Sequence, residues 1–309
     1  MRAIQTTAWG QAPAFTSSAA SPPEPTSTQV QVRVLASGLH RLVRSQALGQ
    51  HYSSRNTGLP YTPGSDGVGL TPDGKRVYFV SIATGGGFAE TINVEKKMTV
   101  ELSEGADPVQ VAGLVNPGMA SWMALRTRTQ GVVGVKKGWS VVVLGVTSQS
   151  GKVAVHFARK LGATRVVGVA RDGKKMAALG LDEAIVLKDN AAETDWAKMG
   201  DVDVILDYLY GGAATACFNG LNSKVPTQYV QVGSLAGLET SFPSAVFRSK
   251  NLTIRGSGPG AWSMQEFGGE VKDLVAAVEG LEEQDLKARG LEDAKEAWDN
   301  DRERTVFVP

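Results

Sequence analysis

The chain has 309 residues, of which 42% are hydrophobic, and this is enough to bury a core in one large domain or two. Its 32 basic and 31 acidic side chains leave a net charge of +1, which argues against nucleic acid or an anionic membrane as the main partner. No apolar run approaches the about twenty residues of a membrane span. The single cysteine, Cys217, excludes an internal disulfide and a cysteine-rich zinc site. We expect a cytoplasmic protein in which Cys217 is a buried packing thiol.

About the first hundred residues predict a β-rich region with irregular connections. Residues 29–36, QVQVRVLA, alternate with period two and predict a half-buried strand. A helical pattern follows and ends near Gly49. The pair Asp73 and Gly74 predicts a hairpin before the strand KRVYFV.

From Asp107 onward, helices and strands alternate. Two helices are predicted first, broken at residues 116–118, Asn-Pro-Gly. Six strands follow, separated by helical or turn segments, and this alternation predicts a doubly wound parallel sheet in an α/β fold. The predicted strands cover residues 141–144, 166–169, 182–187, 201–210, 228–237 and 251–258. A helix over 264–279, a second helix and the strand TVFVP close the chain, and we expect TVFVP to rejoin the N-terminal β-region.

Residues 139–171 have the length and order of a βαβ unit: strand, small polar turn, helix and strand. Such a unit binds a dinucleotide because the turn presents unpaired N–H groups and the helix N-terminus carries partial positive charge, which together hold a pyrophosphate. The usual fingerprint has three glycines, but here Val146 and Ser148 take the first two places and Gly151 the third. A parallel-sheet unit with an empty turn is the alternative.

The polar residues of the turn are the candidate phosphate ligands: Thr147, Ser148, Gln149 and Ser150, with Gly151. The second strand ends in basic residues, Arg171 followed by Lys174 and Lys175. NAD sites place a carboxylate there for the ribose hydroxyls, whereas NADP sites have a cation for the 2′-phosphate. Asp172 stands one position late and is flanked by cations. We therefore expect Arg171 and Lys175 to bind NADPH, and a solvated helix start is the alternative.

Several stretches together resemble the medium-chain dehydrogenase/reductase superfamily and, within it, the zinc-free quinone oxidoreductase-like branch. They are LPYTPGSDGVG with DGKRVYF, VNPGMASWMAL, GWSVVVLG with GKVAVHFARKLGA, VILDYLYG, VQVGSLAG and DAKEAWDNDRERTVFVP. The resemblance implies a GroES-like β-rich catalytic domain, residues 1–113 and 260–309, and a Rossmann NADPH-binding domain, residues 114–259. Family members often dimerise by joining their nucleotide sheets edge to edge, so a homodimer is compatible with it.

The resemblance also shows two departures. Zinc-binding members have an early Cys, a Gly-His-Glu and a four-Cys lobe. Here His40 stands near the place of the early Cys, Ser65 and Asp66 stand where His-Glu would be, and the four-Cys lobe is missing. A catalytic zinc needs three converging protein ligands, so we expect no metal. The second departure is in the turn, where the family usually has Gly-Gly-Val-Gly and this chain has residues 148–151, Ser-Gln-Ser-Gly. The side chains at 148 and 149 could crowd the pyrophosphate or bind it.

The implied activity is zinc-independent hydride transfer from NADPH to a quinone or to the C=C bond of an α,β-unsaturated carbonyl. The resulting hydroquinone anion or enolate is then protonated by a side chain or water. Two alternatives stay open. One is an NADPH-binding module with little turnover, in a sensor or structural role, which the altered turn suggests. The other is a dedicated biosynthetic enoyl reductase.

Three candidate catalytic residues follow from the resemblance. His40 lies where family members carry an Asn or Cys facing the nicotinamide, and it could bind the substrate oxygen or the ribose. Tyr52 aligns with a tyrosine that lines the acceptor pocket of quinone reductases, and its phenol could donate to the carbonyl. Asn116 stands at a predicted helix start below the nicotinamide. The alternatives are a surface or capping histidine, a half-exposed loop tyrosine and a helix cap.

The last candidates end two strands of the nucleotide sheet. Gly233 and Ser234 end the fifth strand, and Ser257 and Gly258 end the sixth. In the family, backbone groups there meet the nicotinamide carboxamide. The alternative is that they only form turns.

Overall fold

The computed structural model describes residues 1–51, 54 and 57–309. The chain divides into two compact units. Met1–Asn116 and Val271–Pro309 form one, which we call the terminal unit, and Pro117–Glu270 form the other, which we call the central unit. The functional domain limits expected from the sequence, 1–113 with 260–309 and 114–259, stay a prediction.

The strands follow one another in this order: β1 Ala3–Gln5, β2 Ala14–Thr16, β3 Gln29–Gly38, β4 Asp66–Leu70, β5 Arg76–Val80, β6 Thr91–Glu95, β7 Thr99–Glu101, β8 Trp139–Leu144, β9 Ala163–Ala170, β10 Glu183–Val186, β11 Val204–Asp207, β12 Thr227–Gln231, β13 Leu252–Gly256, β14 Lys287–Arg289 and β15 Thr305–Phe307. The α-helices are α1 Arg41–Ala47, α2 Pro108–Arg128, α3 Gln149–Lys160, α4 Gly173–Ala177, α5 Gly211–Gly220, α6 Ser244–Ser249, α7 Met264–Glu279 and α8 Ala294–Asp299. Short 3-10 turns cover Lys96–Met98, Ala191–Glu193, Trp196–Met199 and Leu291–Asp293.

The terminal unit is built on a sheet with the strand order β14-β15-β3-β4-β5-β7, in which β6 also pairs with β3. Strand β4 pairs antiparallel with β5 through the predicted hairpin at Asp73 and Gly74, where Gly74 has a φ of 82°. Strand β15, the predicted TVFVP strand, pairs antiparallel with β3 and places Phe307 opposite Ser37. The return of the chain end to the β-rich region is therefore confirmed.

The central unit contains a parallel sheet with the strand order β10-β9-β8-β11-β12-β13. In chain order of its own strands this is 3-2-1-4-5-6, the doubly wound order of dinucleotide-binding folds. Every residue of β8 is buried, because a central parallel strand is covered on both faces. The core beside it contains Val142, Leu144, Val167, Val169, Ile205, Phe218 and Tyr229. The order reverses between β8 and β11, and such a reversal is where this fold binds ligands.

Helix α2 differs from the prediction, because one helix runs through Pro117 where two were expected. A proline inside a helix costs about 3 kcal/mol, mainly through the lost backbone hydrogen bond. Leu114, Val115 and Met119 beside it are buried, and burial of each such side chain contributes about 1.5–3 kcal/mol. The free energy gained by burying these side chains therefore exceeds the cost of Pro117 within the helix. Asn116 lies inside this helix, so both the predicted helix start and the alternative cap at Asn116 are wrong.

Among the described residues, no helix combines the length and the hydropathy that a membrane span requires. Cys217 is fully buried, as predicted.

Candidate active site

The 145–151 turn connects β8 to α3 in the central unit. Gly145 leaves the strand with a φ of 84°, a conformation that favours glycine. The N–H groups of Gly145 and Val146 both donate to the carbonyl of Val169, at 2.8 and 3.2 Å. Gly145 was not among the predicted site residues, although a glycine directly after an apolar strand is a signal for this turn.

Gly151 brings α3 close to the strand end. A Cβ atom at this position would lie 2.4 Å from the oxygen of Gly145 and 2.7 Å from the Cα of Val146. Both contacts are far too short, so only glycine allows the helix to begin so near the strand. This is the packing role of the third glycine in the dinucleotide fingerprint.

Ser148 is the N-cap of α3, and its Oγ accepts a hydrogen bond from the N–H of Gly151 at 3.1 Å. One N–H group of the helix start is therefore already occupied by the protein. The N–H groups of Gln149 and Ser150 have no acceptor among the described residues. These two donors remain available at the positive end of the helix.

Two residues that the sequence analysis missed hold the first turn of α3 in place. Ser121 Oγ donates to the carbonyl of Ser150 at 2.9 Å. Because that bond uses the serine proton, the hydroxyl of Tyr208, 2.6 Å away, donates to Ser121 Oγ. Tyr208 is buried, and burial raises the pKa of its hydroxyl.

A cavity of about 860 Å³ lies where β9 ends, and it is lined both by the 145–151 turn and by the basic residues that follow β9. Its lining residues are Thr147, Arg171, Asp172, Gly173, Lys174 and Lys175. The carboxylate of Asp172 caps α4 by accepting the N–H groups of Lys174 and Lys175 at 3.0 and 3.1 Å. The exposed guanidinium of Arg171 has no ion pair or hydrogen bond within the part of the chain that the structure describes. The cavity thus offers the guanidinium of Arg171, while Asp172 uses Oδ1 as the helix cap and has its Oδ2 3.8 Å from Lys175 Nζ.

The ends of β12 and β13 are linked through Gln231. The side-chain Nε2 of Gln231 donates to the backbone carbonyl of Gly233 at 2.9 Å. The backbone carbonyl of Gln231 accepts the N–H of Ser257 at 2.8 Å. Ser257 Oγ is buried and has no partner among the described residues. Ser234 is exposed, and a Cβ at Gly258 would meet no atom within 4 Å. The contacts of these four residues with a cofactor stay a prediction.

His40 in the terminal unit is buried, with 6% of its surface exposed. Its Nε2 donates to the carbonyl of Ala112 at 3.1 Å, so the neutral ring carries its proton on Nε2. Burial and the nearby Arg304 lower the pKa of His40 to about 4. The surface alternative is wrong, and although His40 is the N-cap residue of α1, its side chain makes no capping hydrogen bond.

Asp66, at the start of β4, is fully buried at the centre of a polar network that the sequence analysis missed. Its Oδ2 accepts from the Tyr78 hydroxyl at 2.8 Å and its Oδ1 from the Asn116 amide at 3.3 Å. His40 Nε2 lies 3.7 Å from the same Oδ1. Burial raises the pKa of Asp66 to about 7, against the two hydrogen bonds, which lower it. We call these four residues the Asp66 network; it connects two of the predicted catalytic residues, His40 and Asn116.

The third predicted catalytic residue, Tyr52, lies outside the described residues. Within the described ranges, no group of three or more His, Cys, Asp or Glu side chains is arranged to hold a metal ion.

No protein-family model matches the chain. The probable NADPH-dependent quinone reductase tdiC of Emericella nidulans is 35% identical to it, and the match covers 82% of this chain and 83% of that protein. The chain belongs to the quinone reductase-like branch of the medium-chain dehydrogenase/reductase superfamily. This quinone reductase-like chain is also 30% identical to the quinone oxidoreductase of Homo sapiens, over 60% of this chain and 56% of that protein.

Solved structures agree with the fold of this quinone reductase-like protein. The quinone oxidoreductase of Thermus thermophilus, whose crystal structures include a complex with NADPH, matches with a TM-score of 0.77 and 22% identity, over 100% of both chains. A quinone oxidoreductase of Pseudomonas syringae matches with the same TM-score, 0.77, at 20% identity. The predicted superfamily and the predicted GroES-like plus Rossmann fold class are confirmed, and the chain is an oxidoreductase.

Proposed function

We propose that this chain transfers hydride from NADPH to a quinone or to the C=C bond of an α,β-unsaturated carbonyl, without a metal. The observation that carries the proposal is the cavity at the end of β9. It combines Thr147 of the turn with the unpaired Arg171 and with Lys175, while Asp172 is held as a helix cap. A dianionic 2′-phosphate suits such a surface, whereas a ribose diol would need a free carboxylate.

The described residues of the central unit fit a dinucleotide. Gly151 brings the helix start close to the strand end, and the N–H groups of Gln149 and Ser150 are free to donate to a pyrophosphate. Thr147, Ser148 and the hydroxyl of Ser150 flank that position. Bound NADPH supplies the hydride. Gly233, Ser234, Ser257 and Gly258 would hold its nicotinamide end, and the unpaired Ser257 Oγ supports this assignment.

In the terminal unit, we propose that the Asp66 network positions the substrate-facing groups. A pKa of about 4 keeps His40 neutral at neutral pH, so His40 binds and orients rather than donating a proton from an imidazolium. Its Nε2 proton is held by Ala112, which leaves Nδ1 as an acceptor. The proton for the enolate or hydroquinone anion then comes from water or from another side chain, and the resemblance assigns the substrate hydrogen bond to Tyr52.

Zinc independence rests on the groups that stand where the zinc ligands of related enzymes would be. The hydroxyl of Ser65 donates to Gln46 Oε1 at 2.5 Å, and the carboxyl of Asp66 is held by Tyr78 and Asn116. With His40 Nε2 bound to Ala112, this set serves the protein's own packing rather than an open tetrahedral site.

A binding module with little turnover is the second candidate. Its support is that the Ser148 hydroxyl already accepts the N–H of Gly151, which could otherwise donate to a phosphate. A dedicated enoyl reductase differs from the main proposal only in its acceptor. A homodimer is also proposed: β13 is an edge strand, and Thr253 and the 39% exposed Ile254 lie along it. The cytoplasmic location stays a prediction.

The test is a fluorescence titration with NADPH, followed by its oxidation in the presence of a panel of quinones and enones, before and after treatment with a chelator. Saturable binding with chelator-insensitive oxidation by a quinone or enone supports the main proposal. Binding with no oxidation across the panel favours the binding module. A chain that does not bind NADPH would overturn both.

A further inference from the structure

We propose that the side-chain amide of Gln149, unpaired in the free protein, donates a hydrogen bond to a pyrophosphate oxygen of the bound dinucleotide. The family usually has a glycine at this position, so this contact belongs to this chain. The inference rests on the proposed function and names a residue that sets the affinity of its cofactor site.

The burial of Gln149 is the first observation. Only 8% of the residue is exposed, and its Nε2 is buried with no hydrogen-bond partner among the described residues. An amide donor taken out of water without an acceptor costs free energy, which is why nearly all buried amides in proteins are paired. A ligand that brings an acceptor recovers this free energy on binding.

The position of Gln149 is the second observation. It is the first residue of α3, a helix of 12 residues, and neither its own N–H nor that of Ser150 has an acceptor in the described part of the chain. Phosphate oxygens bind readily at a helix N-terminus, where N–H groups point at the ligand and the dipole favours negative charge. The N–H of Gly151 is not available to a phosphate, because it donates to the Oγ of the N-cap Ser148. The Gln149 amide therefore replaces a donor that the serine cap removed.

Gln228 in the same unit shows what a structural glutamine looks like. Its Nε2 donates to the carbonyl of Gln130 at 2.6 Å, and its Oε1 accepts the N–H of Gln130 at 2.9 Å. Both ends of that amide are satisfied within the protein, and it lies on β12 rather than at a helix start. Gln228 is the matched control for Gln149.

The experiment measures two quantities for each variant: the Tm of the ligand-free protein and the Kd for NADPH and for NADH. Gln149→Met keeps the side-chain length and removes the amide. We expect a Tm no lower than that of the wild type and a Kd about tenfold weaker, or about 1.4 kcal/mol. The factor should be the same for NADPH and NADH, because the pyrophosphate is common to both.

Gln149→Glu adds a second reading. Burial of a charge at this 8% exposed position costs more free energy than the helix N-terminus returns, so the ligand-free Tm should not rise. The same charge repels a phosphate, so the Kd should weaken further than in Gln149→Met. Gln228→Met, which breaks two hydrogen bonds to Gln130, should lower the Tm and leave the Kd unchanged.

Wild-type affinity in Gln149→Met would overturn the inference and leave the proposed function standing. So would a lowered Tm with weakened binding, as expected if Gln149 only packs. If the wild-type chain binds neither NADPH nor NADH, the proposed function and this inference fall together.

Discussion

In the 145–151 turn of the central unit the amide of Gln149 is buried without a partner, whereas in the Asp66 network of the terminal unit both carboxyl oxygens are hydrogen-bonded. Both regions contain buried polar groups, and both lie where the sequence departs from related proteins: the turn from the usual Gly-Gly-Val-Gly, and Asp66 from the His-Glu of zinc-binding members. The difference lies in which molecule supplies the hydrogen-bond partner of the buried group. Within the network the protein supplies it, and the groups are held in fixed positions; in the turn a ligand has to supply it.

This difference separates positioning from binding. Loss of a paired group in the network leaves other groups unsatisfied, and therefore lowers stability. Loss of an unpaired group in the turn leaves nothing unsatisfied in the free protein, and therefore changes affinity.

The largest effect is expected for Asp66→Ala, which leaves the buried Tyr78 hydroxyl and the half-buried Asn116 amide without an acceptor. We expect the free energy of unfolding to fall by about 3 kcal/mol, since each orphaned group costs about 1–3 kcal/mol. Urea denaturation measures it. The exposed Glu24, changed to Ala, is the control and should stay within about 0.5 kcal/mol of the wild type. An equal change in the free energy of unfolding for the two substitutions would show that the network does not stabilise the protein.

Arg171→Ala tests the binding side. Loss of a charged partner for the 2′-phosphate should weaken the binding of NADPH about 10-fold to 100-fold, because hydrogen bonds to charged groups contribute about 1.5–3 kcal/mol. The Kd for NADH and the ligand-free Tm should not change. Lys160→Ala, at an exposed position near the end of α3, is the charge-matched control. If NADPH and NADH weaken equally, Arg171 does not contact the 2′-phosphate.

Gly151→Ala should affect both sides of the contrast, because the turn itself must move. The added Cβ would meet backbone atoms at 2.4 and 2.7 Å, and overpacking of this kind costs about 1–3 kcal/mol. We expect a lower Tm and weaker binding of NADPH and NADH alike. Gly212 in α5 has open space around its Cβ position, so Gly212→Ala should be neutral or stabilise by up to about 1 kcal/mol. A Gly151→Ala variant that matches Gly212→Ala would contradict the close approach.

In the wild type, the network should give no pH dependence of the stability between about pH 4 and pH 6.5. Between about pH 4 and pH 6.5 the folded protein holds one proton on the pair, on Asp66, whose pKa is raised from 3.8 to about 7. The unfolded chain also holds one proton there, on His40, whose ordinary pKa of 6.5 falls to about 4 on folding. Since the proton counts are equal, the pair adds no pH dependence to the stability in this window.

Removal of either partner should reveal a slope of up to about 1.4 kcal/mol per pH unit. In His40→Gln only the folded state binds the proton, so stability relative to the wild type falls as the pH rises from about 4 to about 7. In Asp66→Asn only the unfolded state binds it, so relative stability rises from about pH 4 to pH 6.5. Urea denaturation at a series of pH values measures both. Slopes of the same sign would show that the two groups do not titrate as a pair.

The sheet of the central unit could be predicted because buried parallel strands appear in the sequence as uninterrupted apolar runs such as VVVL before Gly145. The return of β15 to the terminal unit followed from a short apolar strand at the chain end. These are local patterns. The break at Pro117 was predicted from local preference and was wrong, because packing of Leu114 and Met119 decides that helix.

The Asp66 network could not be predicted, because its members come from β4, β5, α2 and the residue before α1, and meet only in the folded unit. Nothing near Asp66 in the sequence indicates that Tyr78 and Asn116 bind its carboxyl, although the replacement of His-Glu by Ser65 and Asp66 marked the place. The role of Ser148 as a helix cap was equally hidden, since a serine in a turn serves as a cap or as a phosphate ligand with the same residue type. The binding residues proposed for the turn therefore depend on a measurement with the ligand present.

The central claim is that NADPH binds at the 145–151 turn of the central unit, and a crystal structure of the protein grown with NADPH tests it most directly. The account predicts the pyrophosphate on the N–H groups of Gln149 and Ser150 and the 2′-phosphate beside Arg171. A dinucleotide bound elsewhere, or a turn in which Ser148 and Gln149 exclude the phosphates, would contradict it.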